Sequence, residues 1–599
     1  MTLDEYKNRM DRFKAEEARL KKQVDSIGNL RLAVFLAGAA VTVFLFMKTG
    51  ALPGILSLAA VIGVFVYLVA RHGRLAYDMD RQGRMAEINR MYMDRMQTDW
   101  VKFSDCGQDF AEDAHPYTGD LDIFGPKSLF QWLNAAYTHY GRNALCVLLK
   151  NPDKSIGTVK KRQKAIRELA GMPDFCQELQ CEGMLAKGAA NDPAELLSYA
   201  EEQTGRFRND WLINLFYLLP ALVVLAFVLF FLGAPIPLFV PLLMLSVQML
   251  IFAVGFKKNA SIIDNVYGLK KNLGAFGNLL QRIEKEEFRD EYLYDLKQKL
   301  FSKNEPASAS LKKLEAIASA IDVKFSTVLY FLLNFCLLWD YHCAFALEEW
   351  KKQYGRHIRG WLETVGQYEA LSSLSVPGHM YPDWAFPEFS DKGLKFSAVE
   401  IGHPLISKEV CVRNDFEISS RACVITGSNM SGKTTLLRTV GINLVLAYSG
   451  AQVFAGRLDC SMMDIFTSMR IRDDLNSGIS TFYAELLRIK TIIDYSHKEL
   501  PMIYLIDEIF MGTNSLDRIA GARSVLKNLS KSWIIGLIST HDFELCDLEQ
   551  EKQVNIKNYH FTENYSNNEI KFDYKLRSGR SMTTNARYLM KMVGIELVE

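Results

Sequence analysis

Gly427-Ser428-Asn429-Met430-Ser431-Gly432-Lys433-Thr434 follows directly on the apolar run Cys423-Val424-Ile425 and precedes a helical pattern of apolar residues, Leu436, Leu437 and Val440. The stretch fits G-x-x-x-x-G-K-[ST] in the context that pattern needs, a buried strand before it and a helix after it. The two glycines let backbone N–H groups turn inward around phosphate oxygens. Lys433 can reach the β- and γ-phosphates, and the Thr434 hydroxyl can ligate Mg²⁺. The positive end of the following helix adds to the same anion site. With Thr435 at the helix start, residues 427–435 are the expected phosphate-binding set. Without that context the stretch would read as a Gly-rich turn.

Two later runs supply matching chemistry. Pro501-Met502-Ile503-Tyr504-Leu505-Ile506-Asp507-Glu508 reads as a fully buried strand ending in two acids. A parallel strand beside the loop strand would bring Asp507 to the Mg²⁺ shell. Glu508, pointing differently, would orient or deprotonate an attacking water. Ile534-Ile535-Gly536-Leu537-Ile538 is a second apolar strand, ending in Ser539-Thr540-His541. A histidine at the end of a neighbouring strand can touch the γ-phosphate. Alone, these acids or this histidine would read as structural; their order and spacing favour Glu508, Lys433 and His541 as catalytic and Thr434 and Asp507 as metal ligands.

The residues between make a specific match. Thr426 to Gly441 reads TGSNMSGKTTLLRTVG; then come Ser449-Gly450-Ala451-Gln452-Val453-Phe454-Ala455, Asp473-Asp474-Leu475-Asn476-Ser477-Gly478-Ile479-Ser480-Thr481-Phe482 and Asp507-Glu508-Ile509-Phe510-Met511-Gly512-Thr513-Asn514. From about His403 to about Gly594 this resembles the ATPase domain of the MutS family of DNA mismatch-repair proteins. The resemblance implies ATP and Mg²⁺, with Asn429 beside the nucleotide and His541 as a switch histidine. It also implies that Ser480 and Thr481 contact nucleotide held by the opposite subunit, hence a composite site and a homodimer of ATPase heads. The family often has an aromatic residue shortly before the loop that stacks on the base. The matching position here is Cys411, which leaves base selectivity open.

At 599 residues the chain is long enough for several domains, and its net charge of +1 advertises no global attraction to nucleic acid. The ten cysteines form no C-x-x-C pair and no zinc spacing, and several sit in apolar runs. That suits buried thiols in a reducing compartment, with no disulfide and no metal beyond Mg²⁺ expected.

Four apolar segments change the class. Residues 32–47 and 51–70 form one pair, and 211–232 and 234–256 a second, each joined by a tight link. A span needs about 20 apolar residues, so three qualify outright and 32–47 draws on its flanks. Lysines and arginines crowd before and after the first pair. Arg206, Arg208, Lys257 and Lys258 flank the second, and the links carry only Lys48. Positive charge marks the cytoplasmic side, so the N-terminus, the middle and the ATPase are all expected on the cytoplasmic face of a bacterial-type inner membrane, in a multi-pass chain. The long cationic lead with no cleavage site argues against a signal peptide. A fifth run, 325–339, is shorter and contains Asn334. It reads as a buried core helix.

The expected layout is therefore an α/β P-loop ATPase domain of the ABC/MutS-like kind, C-terminal to an all-α core and lever region with four transmembrane helices in two hairpins. Residues 1–30 would be an amphipathic or coiled-coil helix, 31–70 the first transmembrane hairpin and 71–119 a cytoplasmic helical linker. Residues 120–210 would be the first part of a MutS-like helical core, on the resemblance of Leu121-Asp122-Ile123-Phe124-Gly125 and Thr138-His139-Tyr140-Gly141-Arg142. The second hairpin, 211–256, would stand where the family's DNA clamp is expected. Returning lever and core helices would fill 257–376, a linker 377–400, and the ATPase domain 401–599. Nothing before Asp120 resembles the family's mismatch-reading domain, and no dimerisation extension follows Gly594, so mismatch recognition in the usual manner is not expected.

Three functions compete. The first is a membrane-anchored MutS-like ATPase whose levers act on the bilayer or on an unidentified membrane or protein client. The second is a membrane-tethered DNA-binding protein of mismatch repair or recombination. The third, an ABC-type transporter, is disfavoured by S-G-I-S-T-F in place of L-S-G-G-Q and by the scarcity of polar groups in the spans.

Overall fold

The structure is a computed structural model. It describes residues 1–186, 191–202, 210–302, 305–391, 393–418, 420–470, 481–510, 513–551, 554–566 and 569–580. Two helices open the chain, α1 (Leu3–Lys48) and α2 (Ala51–Met96), turning at Thr49-Gly50. Thr2 and Glu5 cap each other's backbone at the start of α1, which satisfies donors that a helix start leaves orphaned. At 1.5 Å per residue each helix runs about 70 Å, so the expected boundaries at 30 and 70 fall inside unbroken helices. The N-terminal end of α1 lies against the protein's own body, with Tyr6 fully buried and stacked on Tyr92 at 5.0 Å. On either side of the turn, which exposes Lys48 and Thr49, the exposed side chains are mostly apolar, among them Phe35, Leu36, Phe44, Leu56 and Val66.

The helical body follows: α3 (Leu129–Leu133), α4 (His139–Lys150), α5 (Ile156–Ala170), α6 (Pro173–Leu185) and α7 (Ala194–Glu201). Then come the apolar α8 (Asp210–Phe231) and the long α9 (Phe239–Lys285), whose first half is apolar and whose last turn carries Arg282 and Lys285. Among the described residues, α1 and α2 are the helices long and apolar enough to cross a membrane. The apolar parts of the second pair, Phe216–Phe231 and Phe239–Gly255, are shorter.

The return path is broken into pieces. It comprises α10 (Glu291–Gln298), a two-strand turn of β1 (Phe301–Ser302) and β2 (Glu305–Pro306), α11 (Ala307–Ala320), α12 (Thr327–Leu337), α13 (Trp339–Tyr354) and α14 (Ile358–Met380). Two expectations need correction here. Residues 325–339 do not form a buried core helix. The chain breaks at Leu338, whose φ is +51°, and Val328, Leu329, Phe331 and Leu332 of α12 lie exposed. Nor is 377–400 a linker, because α14 runs through Pro377 to Met380 and the strands of the next domain begin at Glu388.

The C-terminal domain is built on two sheets. The smaller has the order β3-β7-β4-β5, from β3 (Glu388–Phe389), β4 (Phe396–Ile401), β5 (Asn414–Ile418) and β7 (Arg457–Cys460). The larger has the order β12-β11-β6-β10-β9-β8, from β6 (Ala422–Thr426), β8 (Asp464–Ser468), β9 (Met502–Asp507), β10 (Ile534–Thr540), β11 (Ile556–Ser566) and β12 (Glu569–Ser578). Its strands are parallel except β12. Helices α15 (Lys433–Ser449), α16 (Thr481–Ser496) and α17 (Ser515–Leu529) cover it. Every residue of β6 and β10 is buried, as a parallel sheet covered on both faces requires. The strand of the two acids, β9, does not lie beside the loop strand β6; β10 stands between them.

Side-chain bonds fix this domain to the helical body. Asp122 pairs with Arg438 of α15 at 2.9 Å and with Arg470 at 2.5 Å. Asp120 accepts from Thr467 Oγ1 at 2.7 Å and from the N–H groups of Met469 and Arg470. Arg162 of α5 donates to the last carbonyls of α15, Tyr448 and Ser449, both at 3.2 Å. There a cation meets the negative end of the helix.

Candidate active site

Strand β6 turns into α15 through residues 427–432. Gly432 is the residue before the helix and sits at φ +109°, and Gly427 sits at φ +150°. Side chains avoid this left-handed region. At Gly427 a Cβ would also stand 2.8 Å from Ser431 Oγ and 3.2 Å from the Phe561 carbonyl oxygen. The loop thus needs glycine at both ends, which fits backbone N–H groups gathered around an anion. Ser431 Oγ, inside the loop, is buried with no protein partner. A buried orphan of this kind calls for a ligand or a water.

Lys433 is buried and its Nζ donates to the loop's own carbonyls, Gly427 and Ser428, each at 3.0 Å. Burial holds its pKa below the ordinary lysine value, opposed by the charges of Glu508 and Asp507. Glu508 Oε1 is 3.9 Å away. Thr434 Oγ1 donates to Asp507 Oδ2 at 2.6 Å. The sheet register explains this contact even though β10 intervenes: Asp507 pairs with Ser539 on β10, and Thr540 pairs with Thr426 at the end of β6. All three strands therefore end at one edge, where ligands bind in open α/β sheets. Ser539 Oγ donates to the other Asp507 oxygen and fixes the carboxylate plane.

Glu508 lies one residue past β9 at φ +51°, a costly conformation for a side-chain-bearing residue and one that clusters at functional sites. Its N–H bonds the Ser539 carbonyl at 3.1 Å, which aims the carboxylate away from Asp507's position and toward His541. His541 Nε2 lies 2.8 Å from Glu508 Oε1 and 2.7 Å from Asn429 Oδ1. Both are acceptors for a proton on this nitrogen, and the Lys433 ammonium stands 3.3 Å from the same atom. The hydrogen bond from His541 is the main influence holding the Glu508 pKa below the usual carboxylate range, against the opposing effect of burial.

The loop opens onto a cavity of about 500 Å³. One wall is Ile406, Val410 and Cys411, and the other includes Phe561 and Tyr574 from the edge strands β11 and β12. Cys411, the position expected to face the base, does line it. The aromatic surface comes from Phe561 and from Tyr574, which stands 3.4 Å from where a Cβ on Gly432 would be. Sequence reasoning missed Tyr574, because a hairpin more than a hundred residues downstream carries it with no motif around it. It also missed Ser539, although a hydroxyl just before Thr540-His541, at the end of a buried strand, was a usable signal.

Of the expected residues, Ser428, Asn429, Met430, Ser431, Gly432, Lys433, Thr434, Thr435 and Glu508 line the cavity together, with Gly427, Asp507 and His541 bonded to members of that set. Ser480 lies outside the described residues, as does the Thr481 side chain.

Residues 423–596 match the family model described as MutS domain V. The chain is 31% identical over 248 residues to the DNA mismatch repair protein MutS of Staphylococcus carnosus (strain TM300), covering 40% of this chain and 28% of that protein. It is 30% identical over 244 residues to the MutS of Roseiflexus sp. (strain RS-1), covering 39% of this chain and 22% of that one. The MutS of Aquifex pyrophilus is 30% identical over 239 residues, 39% of this chain and 27% of its own length. The chain thus spans about a quarter of the length of the curated relatives it matches.

Proposed function

We propose that this protein is a membrane-anchored MutS-like ATPase, which binds and hydrolyses ATP at a site shared by two copies and passes head closure through its helices to the membrane region. The convergence of Lys433, Thr434, Asp507, Glu508 and His541 at one sheet edge carries this reading. In our assignment Lys433 exchanges the Gly427 and Ser428 carbonyls for β- and γ-phosphate oxygens. The Asn429–Ser431 backbone closes around the same phosphates. Thr434 and Asp507 offer paired hard oxygens suited to Mg²⁺; bound there, the ion would offset phosphate charge. Glu508, kept ionised by His541, orients and deprotonates the attacking water. His541, touching both Glu508 and Asn429, is placed to sense the γ-phosphate. Ser480 and Thr481 are assigned to the nucleotide of the opposite copy, hence a homodimer through the heads.

The coupling route we propose runs through His379, in the last turn of α14 just ahead of the head. Tyr6 of α1 donates to its carbonyl at 3.3 Å, Tyr92 of α2 lies 3.2 Å from its Nδ1, and its Nε2 meets the Leu169 carbonyl at 3.0 Å. Both helices of the first hairpin therefore meet one residue at the root of the head. Burial pushes the His379 pKa down to about 4, so the ring stays neutral and its bonds hold at physiological pH. The apolar, outward-facing halves of α1 and α2 support membrane anchoring, and the flanking basic residues support a cytoplasmic head in an inner membrane. The second hairpin, α8 and α9, is assigned to the same bilayer.

The experiment is ATP turnover by the purified, detergent-solubilised chain. Lys433→Ala is expected to weaken nucleotide use, and Glu508→Gln to retain ATP without hydrolysing it. Unchanged turnover in Glu508→Gln protein would overturn the assignment of the base. A second reading, DNA binding at the membrane, is favoured by the mismatch-repair relatives; it predicts duplex binding that weakens steeply with added salt.

A further inference from the structure

Helix α12 presents an apolar surface on its outer side and a satisfied polar core on its inner side. Its sequence, Thr-Val-Leu-Tyr-Phe-Leu-Leu-Asn-Phe-Cys-Leu, contains no charge. Facing in, Tyr330 and Phe335 meet Phe252 of α9 at 6.2 Å and 5.8 Å between ring centres. Asn334 is fully buried: its Oδ1 accepts the Asp340 N–H at 3.0 Å, and its Nδ2 donates to the Tyr330 carbonyl at 3.1 Å. The Tyr330 hydroxyl donates to Asp340 Oδ2 at 2.5 Å. The break between α12 and α13 is thus closed by its own side chains, which is the condition for irregular backbone to exist away from water. Facing out, Val328 is 82% and Leu332 55% exposed, with Leu329 and Phe331 between them.

The place of α12 says what covers that face. The helix packs on both α8 and α9, so its outer side adjoins theirs, which is also apolar: Leu225 and Val228 on α8, Leu250 and Val254 on α9. The contacts lie at Phe252, near the end of the apolar part of α9 (Phe239–Gly255) that is remote from the Gly233 turn. At the same level Tyr341 of α13 stacks on Phe216 of α8 at 4.5 Å, and Tyr217 meets His342. Such a ring of aromatics, with Trp339 beside it, is what a membrane–water boundary collects. Eleven residues of helix reach about 16 Å, roughly half of a bilayer's hydrocarbon thickness of about 30 Å. The helix can enter one leaflet and cannot cross.

We propose that α12 is embedded in the cytoplasmic leaflet and forms one membrane unit with α8 and α9, its outer face covered by lipid acyl chains. This rests on the membrane reading above. It keeps the head on its proposed side, since the helix returns to the side it entered from. Because α13 leads from this point directly toward α14, the element in the leaflet stands on the same chain path that reaches the head.

The test is photo-crosslinking with p-benzoylphenylalanine introduced at Leu332, at Val66 of α2 and at the exposed Lys352 of α13, in the full chain within native membranes, each protein first checked for ATP turnover. Phospholipid adducts at 332 and 66 but not at 352 are expected. Adducts at 66 alone overturn the placement of α12 and leave the membrane reading standing. Adducts at neither position overturn both. A crosslinked pair of chains at 332 overturns lipid as the cover and makes the face an interface between copies. If the Leu332 protein does not turn over ATP, Val328 takes its place with the same outcomes.

Discussion

Replacing Glu369 by Gln should remove a pH dependence that the helical body otherwise carries. This glutamate, on α14, is fully buried. Its Oε1 accepts the N–H groups of Tyr137 at 3.0 Å and Thr138 at 3.3 Å, and its Oε2 accepts the Thr138 hydroxyl. Thr138 also caps α4, so one carboxyl ties α14 to the start of another helix. Burial raises the Glu369 pKa from 4.5 to about 7, with the hydrogen bonds pulling the other way. A folded pKa above the unfolded one means that the folded state holds the proton more tightly. The stabilising contribution is complete below about pH 4.5 and is lost as pH rises through about 7. Between about pH 5 and about pH 8 the loss is about 2.5 kcal/mol. That should lower the thermal midpoint by several degrees. The assay is intrinsic tryptophan fluorescence on heating the solubilised chain, which reads Trp132 and Trp361 in the buried core. Glu369→Gln keeps an acceptor for the two N–H groups and has nothing to ionise, so its midpoint should change less than the parent's across that range. Parallel midpoint curves for the two proteins would refute the reasoning, because every other titrating group is common to both.

Other outcomes are expected at the site. Tyr574→Ala should raise KM for ATP about tenfold with kcat little changed, since base–aromatic stacking is worth about 1–3 kcal/mol; unchanged KM would remove Tyr574 from base contact. Asp507→Asn should raise the Mg²⁺ concentration needed for half-maximal turnover, because a neutral amide beside Thr434 binds the ion more weakly; an unaltered Mg²⁺ titration would displace Asp507 from that role. His541→Ala removes the hydrogen bond that holds Glu508 below its ordinary pKa. The acid limb of the residual pH–rate profile should therefore move to higher pH, and a stationary limb would show that His541 does not set the base.

Much of the candidate site was legible because its parts are local. The loop geometry is contained in eight residues, and two glycines with positive φ plus one lysine and one threonine define it wherever it stands. Asp507, Glu508 and His541 were legible as polar residues ending wholly apolar strands. The geometry between strands was not. That β10 separates β9 from β6, and that Asp507 still reaches Thr434, depends on which strands pair across more than a hundred residues. The same holds for Tyr574, supplied by the antiparallel edge strand β12. In the helical half, the apolar runs of the first hairpin were visible. Their continuation into helices of 46 residues was not, because the charged halves pack along each other, and α2 also against α6. The exposure of α12 ran against its composition, since the bonds that turn Asn334 inward come from Asp340 beyond a break in the helix.

By itself, then, the order of residues determined a strand–glycine loop–helix, the acids and histidine that end two further apolar strands, and the presence of long apolar helices. Each of these is decided within a few turns or strands by steric limits on the backbone and by hydropathy period. Folding in three dimensions alone decided the order of strands in the sheet, the aromatic wall of the cavity, the seating of Tyr6 and Tyr92 on His379, and the outward face of α12. Those come from pairings between distant segments, where the free energy of burial depends on what shape is left to fill, and no local pattern carries that information.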